Sequence, residues 1–142
     1  MKKYFHSAIT VFALCIAFFA TTTGTATAAP IFKGSWAFSA SGTPSGSTSG
    51  IVNFYNRSAG ISGAVRSSFA CARVDFQLIF ANGAVSAIET RTSCEGEKGF
   101  DFTMEGSSPG GPEWVAVNLW TATNNSGPWK HQGRDNVQNN GN

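Results

Sequence analysis

Histidine, methionine and charge are scarce in this chain, and each scarcity removes a class of function. The 142 residues include 2 histidines, 2 methionines, 10 basic and 8 acidic side chains. A hydrolytic triad needs an imidazole held beside a nucleophile, and the one histidine outside the first ten residues, His131, stands among polar residues near the C-terminus. The sequence has no His cluster and no Asp-rich calcium loop, so no metal ligand can be named. Glu95 and Glu97 are the one carboxylate pair to offer for glycosidic chemistry. Their spacing puts both on one strand face or in one turn beside Lys98, where a solvated acidic loop is the plainer reading. No catalytic residue, no cofactor and no metal site is therefore expected.

Long hydrophobic runs are missing as well. The longest, residues 8–20, is too short to span a bilayer. It follows Lys2 and Lys3 and runs into a Thr-rich stretch at residues 21–27, the order of a secretory signal peptide. Ala26-Thr27-Ala28 supplies the small residues signal peptidase accepts, so cleavage is expected after Ala28 and secretion follows. The mature chain then keeps 114 of the 142 residues, enough for one domain with a single core. Cys15 leaves with the leader, and Cys71 and Cys94 remain as an even pair in an oxidising compartment. Lys2 and Lys3 leave too, which brings the remaining acidic and basic residues into balance. No basic patch marks a nucleic-acid or membrane surface.

What is present is alternation. Seven short strands separated by turn signals are expected, over residues 36–40, 51–55, 61–66, 73–80, 84–92, 100–105 and 113–121. Ile61, Gly63 and Val65 share one face of the third; Val74, Phe76, Leu78 and Phe80 share one face of the fourth. No helical periodicity interrupts them, so the fold class is all-β, a small antiparallel β-sandwich or barrel with one disulfide. Residues 41–50 and 106–112, rich in Gly, Ser and Pro, read as loops. Residues 123–142 have little apolar content and read as a flexible polar tail after a domain at 29–122.

Asn82-Gly83 is the strongest hairpin signal, and Cys71 and Cys94 lie symmetrically about it. A two-residue type I′ turn there places the two cysteines opposite each other and predicts the bridge from register. The same register pairs Phe76 with Glu89 and Val74 with Arg91, charges on a hydrophobic face. A three-residue loop with a bulge repairs the pattern but offsets the cysteines by one, and a bulge nearer them satisfies both. The register stays open.

Aromatic residues are the better functional lead. In the last strand Val115, Val117 and Leu119 share a face, leaving Trp114 and Trp120 on the other. Either the strand is central, with each Trp beneath a loop, or the two rings face a partner. Trp129 has the same two options: it folds back on the sheet or awaits a partner.

Tyr55-Asn56-Arg57-Ser58, Gly60-Ile61-Ser62-Gly63, Cys71-Ala72-Arg73-Val74-Asp75-Phe76 and Thr90-Arg91-Thr92 together resemble small exported β-sandwich proteins of Streptomyces and related actinobacteria. Some proteins of that kind are adaptors in secreted umbrella-shaped toxin particles, linking a lectin to a long toxin subunit. The resemblance implies a non-catalytic subunit of a secreted antibacterial complex, whose partner is another secreted protein. Two further readings come from the residues. One is a carbohydrate- or cell-wall-binding module in which Trp114, Trp120 and Tyr55 form a stacking platform. The other is an inhibitor of secreted hydrolases that inserts the loop at 41–50 or 106–112. The segment at 29–34 is a further candidate for strand addition to a partner's sheet edge.

Overall fold

The computed structural model describes residue 30 and residues 32–140; the expected leader at 1–28 lies outside the described residues. Six antiparallel strands follow one another: β1 (Phe32–Ala40), β2 (Ser45–Phe54), β3 (Ser58–Phe80), β4 (Glu89–Glu105), β5 (Pro112–Ala122) and β6 (Lys130–Gln138). They form one sheet in the order β1-β2-β3-β5-β6, with β4 on the other side of β3. The fold is all-β as the alternation predicts, with six strands in place of seven and a bridge between Cys71 and Cys94.

The count falls because β3 is long. Its first part pairs with β2 as far as Ser68, and its last part pairs with β5 from Cys71 onward. β4 runs beside both parts. Between Ser67 and Cys71 the register shifts, and the inward face changes parity: Ala59, Ile61 and Val65 before the shift, Ala72, Val74, Phe76 and Leu78 after it. A bulge of this kind bends a strand and turns its side chains over. Here it folds the sheet into two layers that share β3 and β4, and β1 then packs against β5 and β6 without pairing to them, which brings the sheet close to a closed barrel.

The core lies between the layers. Val52, Phe54, Ile61 and Val65 meet Val74, Phe76, Leu78, Val115, Val117 and Leu119, all fully buried. Trp36 and Phe100 stack with ring centroids 6.3 Å apart, and the edge of Phe76 meets both. The Trp36 indole donates to Thr48 Oγ1 (3.1 Å), which donates to the Ala64 carbonyl (3.0 Å), so its polar atom is satisfied inside.

The turn at Asn82-Gly83 differs from the two-residue type I′ expectation. The Phe80 amide donates to the Ala84 carbonyl (3.0 Å), and the Gly83 amide donates to the Phe80 carbonyl (2.8 Å). This is a three-residue loop with Gly83 alone at positive φ, +79°. Asn82 instead accepts the Ala84 amide on its side-chain oxygen (3.0 Å). Ser86 pairs with Leu78 through the Ser86 amide (3.0 Å) and hydroxyl (2.9 Å), and one extra residue before Glu89 then restores the register that sets Cys71 opposite Cys94. The charges that register puts on the inner face are accommodated at the rim. Arg91 lies 4.0 Å over the Phe102 ring and pairs with Glu89 at 3.1 Å.

Two loop expectations are also corrected. Residues 45–50 belong to β2, which leaves only 41–44 as a connection. The flexible tail is not one: residues 130–138 form β6 along the free edge of β5. An edge strand needs main-chain partners more than apolar side chains, and β6 supplies one buried apolar residue, Val137, which occupies the space over Gly34 of β1.

Candidate functional site: the disulfide-clamped bend

At the bend, Ser68, Phe69 and Ala70 of β3 stand opposite Glu95 alone on β4, between the pairs Ser67↔Gly96 and Cys71↔Cys94. The excess residues have to leave the ladder, and Phe69 leaves it outward. Its φ is +61° and the residue is 96% exposed. Glu95 across from it has φ +60° and is also exposed. An L-residue with a large side chain pays about 1–2 kcal/mol for the left-handed region, and two such residues meet at one spot. Nothing in the core is gained in return, because Phe69 is in solvent.

Two hollows flank the ring. One of about 280 Å³ is bordered by Phe69, Ala70, the two cysteines and Glu95, with residues 123–125 closing the far side. The other, of about 450 Å³, lies between Ser67, Ser68, Phe69, Glu95 and Gly96. The disulfide spans the base of the bend and fixes the two strands where the ladder resumes. The arrangement is a solvent-facing aromatic knob beside two shallow depressions. It offers contact area, with Ser67, Ser68 and Glu95 as its polar lining. Among the described residues no group of three or more His, Cys, Asp or Glu side chains could hold a metal ion.

The tryptophans singled out in the sequence lie on the outer face of the second layer. Val115, Val117 and Leu119 face the core, so Trp114 and Trp120 face out, but both are half-buried and their indole nitrogens are covered and without a hydrogen-bond partner. Trp120 is covered by its neighbours. The Arg73 guanidinium lies 5.3 Å from the Trp120 ring centroid and 4.8 Å from that of Trp129, between the two indoles. His131 meets Trp120 edge-on at 4.7 Å. Asp75 anchors the stack: Arg73 Nη2 donates to its Oδ2 (3.3 Å), Nε sits 3.2 Å from its Oδ1 without hydrogen-bond alignment, and Thr90 donates to Oδ1 (2.9 Å). Trp129 thus folds back on the sheet. Tyr55 lies past the end of β2, with its ring against Gly60 and its carbonyl against Gly111, three residues before Trp114.

Glu95 and Glu97 do not act as a pair either. Glu97 forms an ion pair with Arg66 across the strands, while Glu95 belongs to the bend. Phe69 was the residue that sequence reasoning missed. Its signal was there in the change of parity between Ile61-Gly63-Val65 and Val74-Phe76-Leu78, which places a bulge between them and ejects a residue.

Comparison of the chain with protein-family models, with curated proteins and with solved structures found no match.

Proposed function

We propose that this chain is an exported, non-catalytic binding protein that grips another secreted protein through the bend, with Phe69 as the anchor. The observation that supports it is a fully exposed aromatic side chain held on a costly backbone conformation beside a covalent clamp. Strain of this kind persists where surrounding structure imposes it, and it concentrates at contact and ligand sites. An outward aromatic flanked by hollows has the form of an interface anchor, whose truncation typically costs 2 kcal/mol or more in binding. A role as a subunit of a secreted antibacterial assembly is the finer reading, and it rests on the resemblance described above.

The carbohydrate-binding alternative has less to stand on. A stacking platform needs accessible, roughly coplanar rings, whereas Trp120 has one side taken by Arg73 and its edge by His131. Inhibition by an inserted loop at 41–50 loses its loop to β2, and the loop at 106–112 is left as its sole candidate.

The test starts with the mature protein in its own culture fluid. Co-purification identifies the partner, and titration of that purified partner against wild type, Phe69→Ala and Trp120→Ala then ranks the surfaces. A loss of about 30-fold or more for Phe69→Ala, with an unchanged melt, is expected. Equal affinity of Phe69→Ala and wild type would move the binding surface elsewhere.

A further inference from the structure

β4 has a strand on one side only. It pairs with β3 in both layers, and among the described residues no other strand pairs with its far side. In the first layer Gly96 to Glu105 runs beside β3 with no register shift and no proline, so this edge lacks two of the devices that usually block one.

Hydrogen-bond parity shows which groups the edge offers. The Tyr55 amide donates to the Ser58 carbonyl (2.9 Å) at the β2–β3 turn, and the Gly106 amide donates to the Arg57 carbonyl (2.9 Å) where β4 ends. Bonded and non-bonded pairs alternate along an antiparallel ladder. Counted from these two bonds, β3 bonds to β4 through Ala59↔Met104, Ile61↔Phe102, Gly63↔Phe100 and Val65↔Lys98. The intervening residues of β4, Glu97, Gly99, Asp101, Thr103 and Glu105, then turn their amides and carbonyls away from β3.

The side chains sort in the same way. Ala59, Ile61 and Val65 face the core, so their partners on β4 share the inner face and the five edge-facing residues share the outer one. Three of those five are acidic. Glu97 pairs with Arg66, whereas Asp101 and Glu105 are exposed and form no ion pair among the described residues. On the inner face Phe100 and Phe102 pack against the core yet stay half-buried, and Lys98 is the one inward charge, at the end next to the bend.

We propose that the first-layer edge of β4 takes an extended segment of a partner protein as an added strand, with basic residues on the outer face of that segment and apolar ones on its inner face. The main chain of the segment bonds to Gly99, Asp101 and Thr103. Its apolar side chains cover Phe100 and Phe102, and its basic ones meet Asp101 and Glu105. A second copy of β4 would add like charges to the same face, which disfavours self-pairing. This surface is separate from Phe69 and does not rest on its role.

The probe is a nine-residue peptide capped at both ends, with lysine at the first, fifth and ninth positions, threonine at the third and seventh and valine between. It reads the same in both directions, so either strand orientation is open to it. Mature protein is titrated with the labelled peptide by fluorescence anisotropy, and amide exchange is followed residue by residue. Binding should slow exchange at Gly99, Asp101 and Thr103 by about tenfold or more, while Phe100 and Phe102, already bonded to β3, change little. Absence of binding overturns the proposal, and so does protection that ignores this alternation. Thr103→Pro removes an outward amide that β3 does not use and should weaken the peptide by about tenfold or more with the fold intact. Asp101→Lys should weaken it as much through charge, and it decides alone if the proline variant unfolds. Wild-type affinity in Asp101→Lys, or equal affinity for a peptide with glutamate in place of lysine, refutes a basic partner. Protection of the same amides in the protein alone, growing with its concentration, would give the edge to a second copy and likewise overturn the proposal.

Discussion

Val137 of β6 occupies the space over Gly34 of β1 that a Cβ would need, and this contact joins the first strand of the sheet to the last. Any side chain at 34 has to displace Val137 or push the two strands apart. Gly34→Val is expected to cost about 1–3 kcal/mol, the usual penalty of overpacking, and to lower Tm by about 5–15 °C. Gly34→Val with Val137→Ala should recover part of the loss; a double variant as unstable as the sum of its parts would refute the contact.

Deletion of residues 123–142 should destabilise the domain. It removes the burial of Val137, worth about 1.5–3 kcal/mol, and the stacking of Trp129 on Arg73, worth about 0.5–2 kcal/mol. Trp129→Ala alone should lower stability by about 1–2 kcal/mol. Urea unfolding of both variants measures it, and a truncated chain with the wild-type midpoint would mean that β6 contributes nothing.

Replacing both Cys71 and Cys94 by Ala should cost on the order of 3 kcal/mol, the chain-entropy value for a loop of this length. Intact mass provides the companion measurement. Native mature protein should take up no alkyl groups without reductant, and uptake of two would show free thiols.

Phe69→Gly should stabilise the protein by about 1 kcal/mol while weakening its partner binding. Glycine adopts a φ of +61° at no steric cost, and the exposed ring forfeits no packing when removed. A raised Tm with lost binding is the signature of strain kept for function. A lowered Tm would show that the ring packs against the surface in solution.

Much of the fold was legible from residue types. The alternation of Val74, Phe76, Leu78 and Phe80, and of Val115, Val117 and Leu119, placed two core strands correctly, because each has one face buried and side chains in a strand repeat every two residues. The cysteine pairing was legible from symmetry about Asn82-Gly83, even though the turn has three residues: an extra residue between Ser86 and Glu89 cancels the offset. The polar strand at 130–138 was not legible, since its stability comes from the unpaired edge of β5, which composition does not reveal. Phe69 escaped for a similar reason. An isolated aromatic in Ser67-Ser68-Phe69-Ala70 reads as core until the parity on either side is compared.

The shared central strand also orders the assembly of the molecule. β1, β2 and β3 each pair with the next strand in the chain, whereas β5 has to reach back past β4 to find β3. Contacts between sequence neighbours close small loops and form early; the β3–β5 pairing closes a larger one. Until β5 arrives, the row from Val74 to Phe80 has no cover from Val115, Val117 and Leu119. Both cysteines, however, lie within the β3–β4 hairpin. The bridge and the aromatic bend beside it can therefore be complete while the hydrophobic face behind them is still open.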